Sequence, residues 1–273
     1  MSEQLPPPSA GVVFDRDGLR IHTFTAPEAF LANSTHIIET ANALVVVDGQ
    51  FVVPYARAFR AYADGLGKPI ERVFLSHAHV DHFFGLGAAF ADVPIHAPAQ
   101  TIATLDREGE SLRVERAQQY GPLVPDRIVM PQHAVIPGVE TIDGLKYELA
   151  VVAGAECGAQ LVITLPDIAV TVAQDLIYSG AHVYVTRDTQ NWISTLGLLA
   201  ESASTLFLAG HGPVADTAEV RRTIDYLTFA QQTLATAADP QAFKAALLAA
   251  YPERTGAVIL DICVPRLYAE TSE

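Results

Sequence analysis

Cysteine is scarce in this chain. Two in 273 residues, Cys157 and Cys263, allow one disulfide at most and exclude a disulfide-built scaffold. Basic residues are also few: 17 Lys and Arg stand against 31 Asp and Glu, a net charge of −14. A surface this acidic repels phosphate backbones, which argues against a nucleic-acid partner. No apolar run is long enough to cross a bilayer, so no membrane partner is expected. The opening "MSEQLPPPSAG" has neither the basic nor the apolar stretch of a signal peptide, and the expected location is the cytoplasm. Low-complexity tracts, short repeats and an internal linker are missing as well. Half of the residues are hydrophobic, so a globular chain is expected: one domain over 1–273 with a sizeable core.

Turn signals and hydrophobic patterning give two successive sets of elements. Residues 1–11, with "PPP", read as a loose arm. "VVFDRDGLRIHTF" is a hairpin around "DRDG", and "STHIIET" and "ALVVVDG" are two more strands. "PYARAFRAYADGLG" has proline near its start and glycine at its end, which suits a helix. "IERVFLS" is a strand, a helix follows to about Phe90, "VPIHAP" is a short strand, and 99–120 is mostly helical with a break near Gly109. Residues 121–138 hold four prolines and two glycines, forbid a long regular element, and read as an irregular segment covering a site. The second set is ordered like the first, with hairpins at "GVETIDGLKYELAVVAG" and "AQLVITLPDIAVTVAQD", the strand "TLFLAGHG", and helices at "DTQNWISTLGLLAES", "DTAEVRRTIDYLTFAQQTLATA" and "DPQAFKAALLAAY". Two mixed sheets packed face to face with helices outside, an α/β four-layer αββα sandwich, satisfy that order.

Chemistry concentrates in "SHAHVDH", residues 76–82, where a buried strand gives way to a helix. Imidazole and carboxylate are the usual ligands of a catalytic zinc. His77 and His79 are two apart, and in an extended loop that spacing puts both on one side, able to bind one metal. Asp81 and His82 point elsewhere and could bind a second. A lone His-x-His is an ordinary loop pair; four ligand residues in six positions are not.

"HAHVDH" matches the H-x-H-x-D-H motif, and the chain thereby resembles the metallo-β-lactamase superfamily over about residues 15–235, with Gly85 at the glycine that often follows. The resemblance implies the αββα sandwich and three further ligands at later strand ends. His211, in "LAGHGP", matches the G-H-G-P turn of the second metal, and glycines on both sides argue for close backbone approach. Asp175, closing "IAVTVAQD", matches the bridging acid. The third turn departs from the family: "AGAECGA" has no histidine. "GAE" at 154–156 is similar to the G-T-E turn of alkylsulfatase members, which implies Glu156 as a metal ligand; the alternative is a solvated loop charge. Asp48, in "VVVDGQ", matches an acid that orients metal ligands. His182, Tyr184 and Trp192 line the pocket or pack, and His133 is a candidate substrate contact. His22, His36 and His96 read as ordinary strand residues, and Cys157 as a small loop residue.

The resemblance implies two divalent ions, zinc first with manganese or iron as alternatives, and a small-molecule substrate. Two such ions bring a shared water to a near-neutral pKa, and Asp81 is the expected catalytic proton carrier. The expected activity is hydrolysis of a small ester, lactone, thioester or amide; β-lactam hydrolysis is possible but less favoured. A mononuclear-iron dioxygenase of the same fold and a non-catalytic binder with a degraded first metal site are the alternatives.

Overall fold

A computed structural model describes residues 5–269. Seven strands form the first sheet in chain order: β1 (Ser9–Arg16), β2 (Leu19–Thr25), β3 (Ser34–Glu39), β4 (Leu44–Val47), β5 (Ile70–Phe74), β6 (Ile95–Ala97) and β7 (His133–Ala134). Helices α1 (Val53–Gly65), α2 (Val80–Ala89), α3 (Ala99–Thr104) and α4 (Glu110–Tyr120) interleave with them. The second sheet has five strands: β8 (Gly138–Ile142), β9 (Leu145–Ala153), β10 (Ala159–Leu165), β11 (Val170–Tyr178) and β12 (Leu206–His211). Around them lie α5 (Gln190–Ala200), α6 (Thr217–Leu234), α7 (Pro240–Ala250) and α8 (Ala257–Ala269). Among the described residues, no helix is long and apolar enough to cross a membrane.

Side-chain alternation builds the layers. On β4, Val45 and Val47 face inward to a core shared with Tyr147, Leu161, Ile163 and Leu208 of the other sheet. Leu44 and Val46 face outward to Phe59 of α1 and Phe83 and Phe84 of α2. A third core packs Phe207 and Ala209 of β12 against Trp192, Tyr226, Phe243 and Leu260 of α5 to α8. Three cores between four layers make the expected αββα sandwich. The sheets are also bonded directly: His36 of β3 accepts from the Thr23 hydroxyl and donates from Nε2 to the Ala209 carbonyl at 3.0 Å. Burial lowers its pKa to about 4, so the ring serves this bridge uncharged.

Several expectations are corrected. Residues 5–11 are not a loose arm: Leu5 packs on the core, Pro6 accepts from the Tyr55 hydroxyl at 2.9 Å, and Ser9 opens β1. Residues 1–4 of that arm lie outside the described residues. No break occurs at Gly109; α3 runs into α4 through a π-helical turn, Leu105–Gly109. Such a turn absorbs an extra residue without ending the helix, and the Ile128 side chain fills the space a Cβ at Gly109 would need. Helix α8 was not anticipated, its signal blurred by Pro265 inside it and by apolar residues on most sides.

Beside the cores lies a buried ion network. Glu39 of β3, 1 % exposed, meets Arg20 at 2.7 Å, His22 at 2.8 Å and Lys68 at 2.8 Å. Burial alone would raise its pKa, but these donors outweigh it and hold the carboxyl at about 2, against an ordinary 4.5. A lowered folded-state pKa stabilises above the unfolded value and is lost as pH falls through the folded one. Glu39→Gln should therefore cost about 3 kcal/mol at pH 7. The variant should also show a shallower loss of stability between pH 4.5 and pH 2. Urea unfolding across that range checks both; parallel pH profiles for the two proteins would exclude Glu39 as the source.

Candidate metal centre

The candidate ligands sit where the parallel strands of both sheets end. Asp48 follows β4, His77 follows β5, and His211 ends β12. Asp175 lies in β11, which runs three residues further than its sequence suggests, to Tyr178. At Gln174 the register with β12 slips and φ is +42°, a bulge of the kind that re-aims a side chain. Glu156 comes from the loop between β9 and β10, while His79 caps α2 and Asp81 and His82 fall in its first turn. Glycines permit the close approaches. A Cβ at Gly210 would stand 1.8 Å from Asp175 Oδ1, and one at Gly85 would stand 1.7 Å from the Gly49 carbonyl.

Hydrogen bonds fix three imidazoles. Ser76 Oγ donates to Asp48, so at 2.8 Å it accepts from His77 Nδ1. His82 Nδ1 donates to Asp48 at 2.8 Å, and His211 Nδ1 to the Leu31 carbonyl at 2.8 Å. Each ring thus engages its Nδ1 away from the centre and turns its Nε2 toward it. There Asp175 Oδ1 is 3.2 Å from His82 Nε2, and Oδ2 is 3.1 Å from His211 Nε2 and 3.6 Å from His77 Nε2. Glu156 Oε1 is 3.1 Å from His79 Nδ1, and Asp81 Oδ2 is 3.4 Å from His211 Nε2. His77, His79, Glu156 and Asp175 form one group with ligand atoms within 4.8 Å of one another; Asp81, His82 and His211 form a second. The structure therefore brings all seven sequence candidates together.

Lone pairs and carboxylates that face one another repel unless a cation lies between them. His77 Nε2, Glu156 Oε2 and Asp175 Oδ1 are buried without a hydrogen-bond partner. Burial disfavours charge on the rings, yet at His82 and His211 the Asp175 carboxylate outweighs it and raises the pKa. His79, beside Glu156, is pushed up to about 9 against the same burial. Burial raises the pKa of Glu156. The donor set, imidazole nitrogen and carboxylate oxygen with unmet valences, fits divalent metal ions.

Tyr178 is a site residue that sequence reasoning missed. Its ring lies flat on His211, 4.6 Å between centroids, and its hydroxyl donates to Asp175 Oδ2 at 3.1 Å. The only signal was a tyrosine three positions beyond Asp175. Of the two alternatives for Tyr184, lining and packing, the structure has it 5.5 Å from His79 in the wall of the cavity over the centre. His182 and Trp192 pack instead, bonded to the Tyr226 hydroxyl and the Leu176 carbonyl. His133 is also corrected: it stacks on His96 at a second hollow, away from the centre. Residues 121–138 do not cover the site; Ile128 to Met130 pack on the core, and the 133–134 pair adds an edge strand. The cavity, about 390 Å³, is walled by Leu112, Arg116 and Tyr120 of α4 and by Val258, Ile262 and Arg266 of α8.

Residues 29–211, well over half of the chain, match the family model described as the metallo-beta-lactamase superfamily. The chain belongs to that superfamily. No curated protein matches it in sequence. Solved structures share the superfamily's fold. A metallo-beta-lactamase from Pontibacter korlensis is 15% identical, with a TM-score of 0.62 over 81% of this chain and 99% of its own. The mono-zinc form of the metallo-beta-lactamase FIM-1 from Pseudomonas aeruginosa is 17% identical, with a TM-score of 0.62 over 84% and 98%. The inverting sec-alkylsulfatase Pisa1 from Pseudomonas sp. is 18% identical, with a TM-score of 0.65; the match spans 96% of this chain but 50% of the alkylsulfatase.

The superfamily centre here depends on Gly210. Gly210→Ala should displace the Asp175 carboxylate and weaken metal binding roughly ten- to hundredfold, with the circular dichroism spectrum unchanged. Titration with zinc against a chromophoric chelator reads it, and wild-type affinity in the variant would rule out the close contact as a determinant.

Proposed function

We propose that the protein is a dinuclear metal-dependent hydrolase acting on a small ester, lactone, thioester or amide. The observation that carries the proposal is the trio of buried, partner-less atoms His77 Nε2, Glu156 Oε2 and Asp175 Oδ1 beside a largely apolar cavity that Asp175 lines. His77, His79 and Glu156 would hold one divalent ion, Asp81, His82 and His211 the other, with Asp175 shared. Bound there, such ions supply a water of lowered pKa and polarise the bond to be cleaved. Zinc suits the imidazoles; three carboxylates widen tolerance toward manganese or iron.

The remaining roles belong to the chain. Asp81 lines the cavity, with Oδ2 3.5 Å from His82 Nε2, and can take a proton from the attacking water and return it to the leaving group. Tyr178 holds Asp175 through its hydroxyl. Phe30, Phe51, Leu112 and Ile262 exclude bulk water around a small organic substrate. No serine or cysteine nucleophile is required, and burial raises the Cys157 thiol far above its ordinary range. A degraded, non-catalytic first site has no reason to keep Glu156 Oε2 and His77 Nε2 buried and unmet.

Metal analysis followed by an ester, lactone, thioester and β-lactam panel tests the proposal. Two zinc ions per chain and turnover of at least one class are expected; a single iron with oxygen consumption would replace it with the dioxygenase alternative. Glu156→Ala should bind one metal and lose activity roughly a hundredfold or more. Glu156→His should keep two and move the pH–rate profile to lower pH, because a neutral ligand leaves the metal a stronger acid. Two metals of unchanged affinity in Glu156→Ala would show Glu156 to be only a loop charge.

A further inference from the structure

The wall contributed by α8 lies beyond the residues that match the family, and it carries a chemistry of its own. Val258, Ile259, Ile262 and Arg266 all line the cavity; their spacing is one face of a helix. The start of α8 is anchored on the His211 side, where Thr255 donates to the Gly180 carbonyl at 3.0 Å and Ser179 to that of His211 at 2.9 Å. Its far end reaches the His79 side. There Arg266 Nη1 donates to the Tyr184 hydroxyl at 2.5 Å, and its guanidinium sits 5.9 Å from the Tyr184 ring centre. Tyr184 in turn packs on His79. One phenol ring separates a cation from a candidate metal ligand.

Among the described residues, no carboxylate neutralises that cation. Arg116, on the opposite wall, meets Glu115 and Gln119, each at 3.2 Å. Asp261 is held by Lys244, and the other acids lining the cavity, Asp81 and Asp175, belong to the metal centre. Arg266 pairs with no carboxylate among the described residues; its partner is the phenol oxygen. That oxygen accepts from Arg266, so the proton of Tyr184 is left to donate elsewhere. An N–H, an O–H and a full positive charge are thus offered together in the wall of a largely apolar cavity. A carboxylate, with two acceptor oxygens and a matching charge, is the group such a pair binds best.

We infer that Arg266 and Tyr184 form a carboxylate-binding subsite, and that the substrate carries a free carboxylate on the same molecule as the bond cleaved at the metal centre. This rests on the hydrolase reading for the second half of that statement only. The substrate class is then an acyl compound with an anionic end and a short apolar body, such as a half-ester of a dicarboxylic acid. Ile262, Leu112 and Tyr120 supply the apolar contacts between the two ends.

Two measurements on the zinc-loaded protein test it. The first compares p-nitrophenyl hemiglutarate with p-nitrophenyl pentanoate, esters of similar length that differ in the terminal charge. Wild type should favour the hemiglutarate in kcat/KM roughly ten- to hundredfold. Arg266→Gln should reduce that ratio to near one, and Arg266→Lys should keep part of it. A variant that merely loosens α8 lowers both rates and leaves the ratio intact, which would overturn the subsite, as would a wild-type ratio near one. The second is calorimetric titration with glutarate and with pentanoate, which needs no turnover. Glutarate should bind wild type at least tenfold more tightly than pentanoate, and Arg266→Gln should erase the difference. If neither ester is cleaved, ester hydrolysis is rejected for this centre, and the calorimetric difference alone decides the subsite: its presence and loss with Arg266 support it, its absence rejects it.

Discussion

The carboxylate of Asp48 is the fixed point of this molecule. It is fully buried and accepts from the Ser76 amide at 2.7 Å, the Ser76 hydroxyl at 2.7 Å, His82 Nδ1 at 2.8 Å, and the Gln174 amide. A buried carboxylate is tolerable only when its acceptor capacity is met in this way. Those donors come from just beyond β5, from the bulge of β11 and from α2, so one anion joins both sheets and the helix that follows the histidine motif. Through Ser76 and His82 it also sets which nitrogen of two imidazoles faces the centre. Asp48 has φ +63° and Gln50 φ +73°, conformations that an ordinary side chain adopts only when the surroundings enforce them.

The centre built around that anion sets charge balance against stability. Three carboxylates and four imidazoles share one small space. Unmet buried lone pairs destabilise the fold, and any cation that binds the folded chain alone stabilises it by mass action. The stability lost at this centre is supplied by the three packed cores, and at Gly85 and Gly210 the chain packs too closely to admit a side chain. Function and fold are therefore coupled through the same atoms.

Part of what surrounds the centre lies outside the family match. The superfamily match ends at His211, whereas part of the cavity wall comes from α8. The chain just before that helix is locked to the site by Arg254, which donates to the Tyr178 carbonyl at 2.9 Å and that of Ala181 at 2.7 Å and pairs with Glu219 at 3.0 Å. Tyr178, which holds Asp175, and the chain entering α8, which holds Arg266, are thus linked through one buried guanidinium. Chemistry carried by a shared fold and selectivity carried by what is packed against it is a common division in large superfamilies.

Sequence alone determined the alternating strands, the helices with clear caps, and the four-layer order, because period-two and period-3.6 patterns are local properties of the chain. It also determined His77, His79, Asp81 and His82, whose spacing within one turn of chain leaves little freedom. Glu156, Asp175 and His211 were legible only through family likeness, since residues far apart in sequence carry no local mark of meeting. Tyr178, the path of 121–138, and the wall made by α8 were decided by tertiary structure. A strand bulge at Gln174, a π-turn before Gly109 and a helix carrying Pro265 each depend on what packs against them. Local patterning records which face of an element is apolar; it does not record which other element that face will meet.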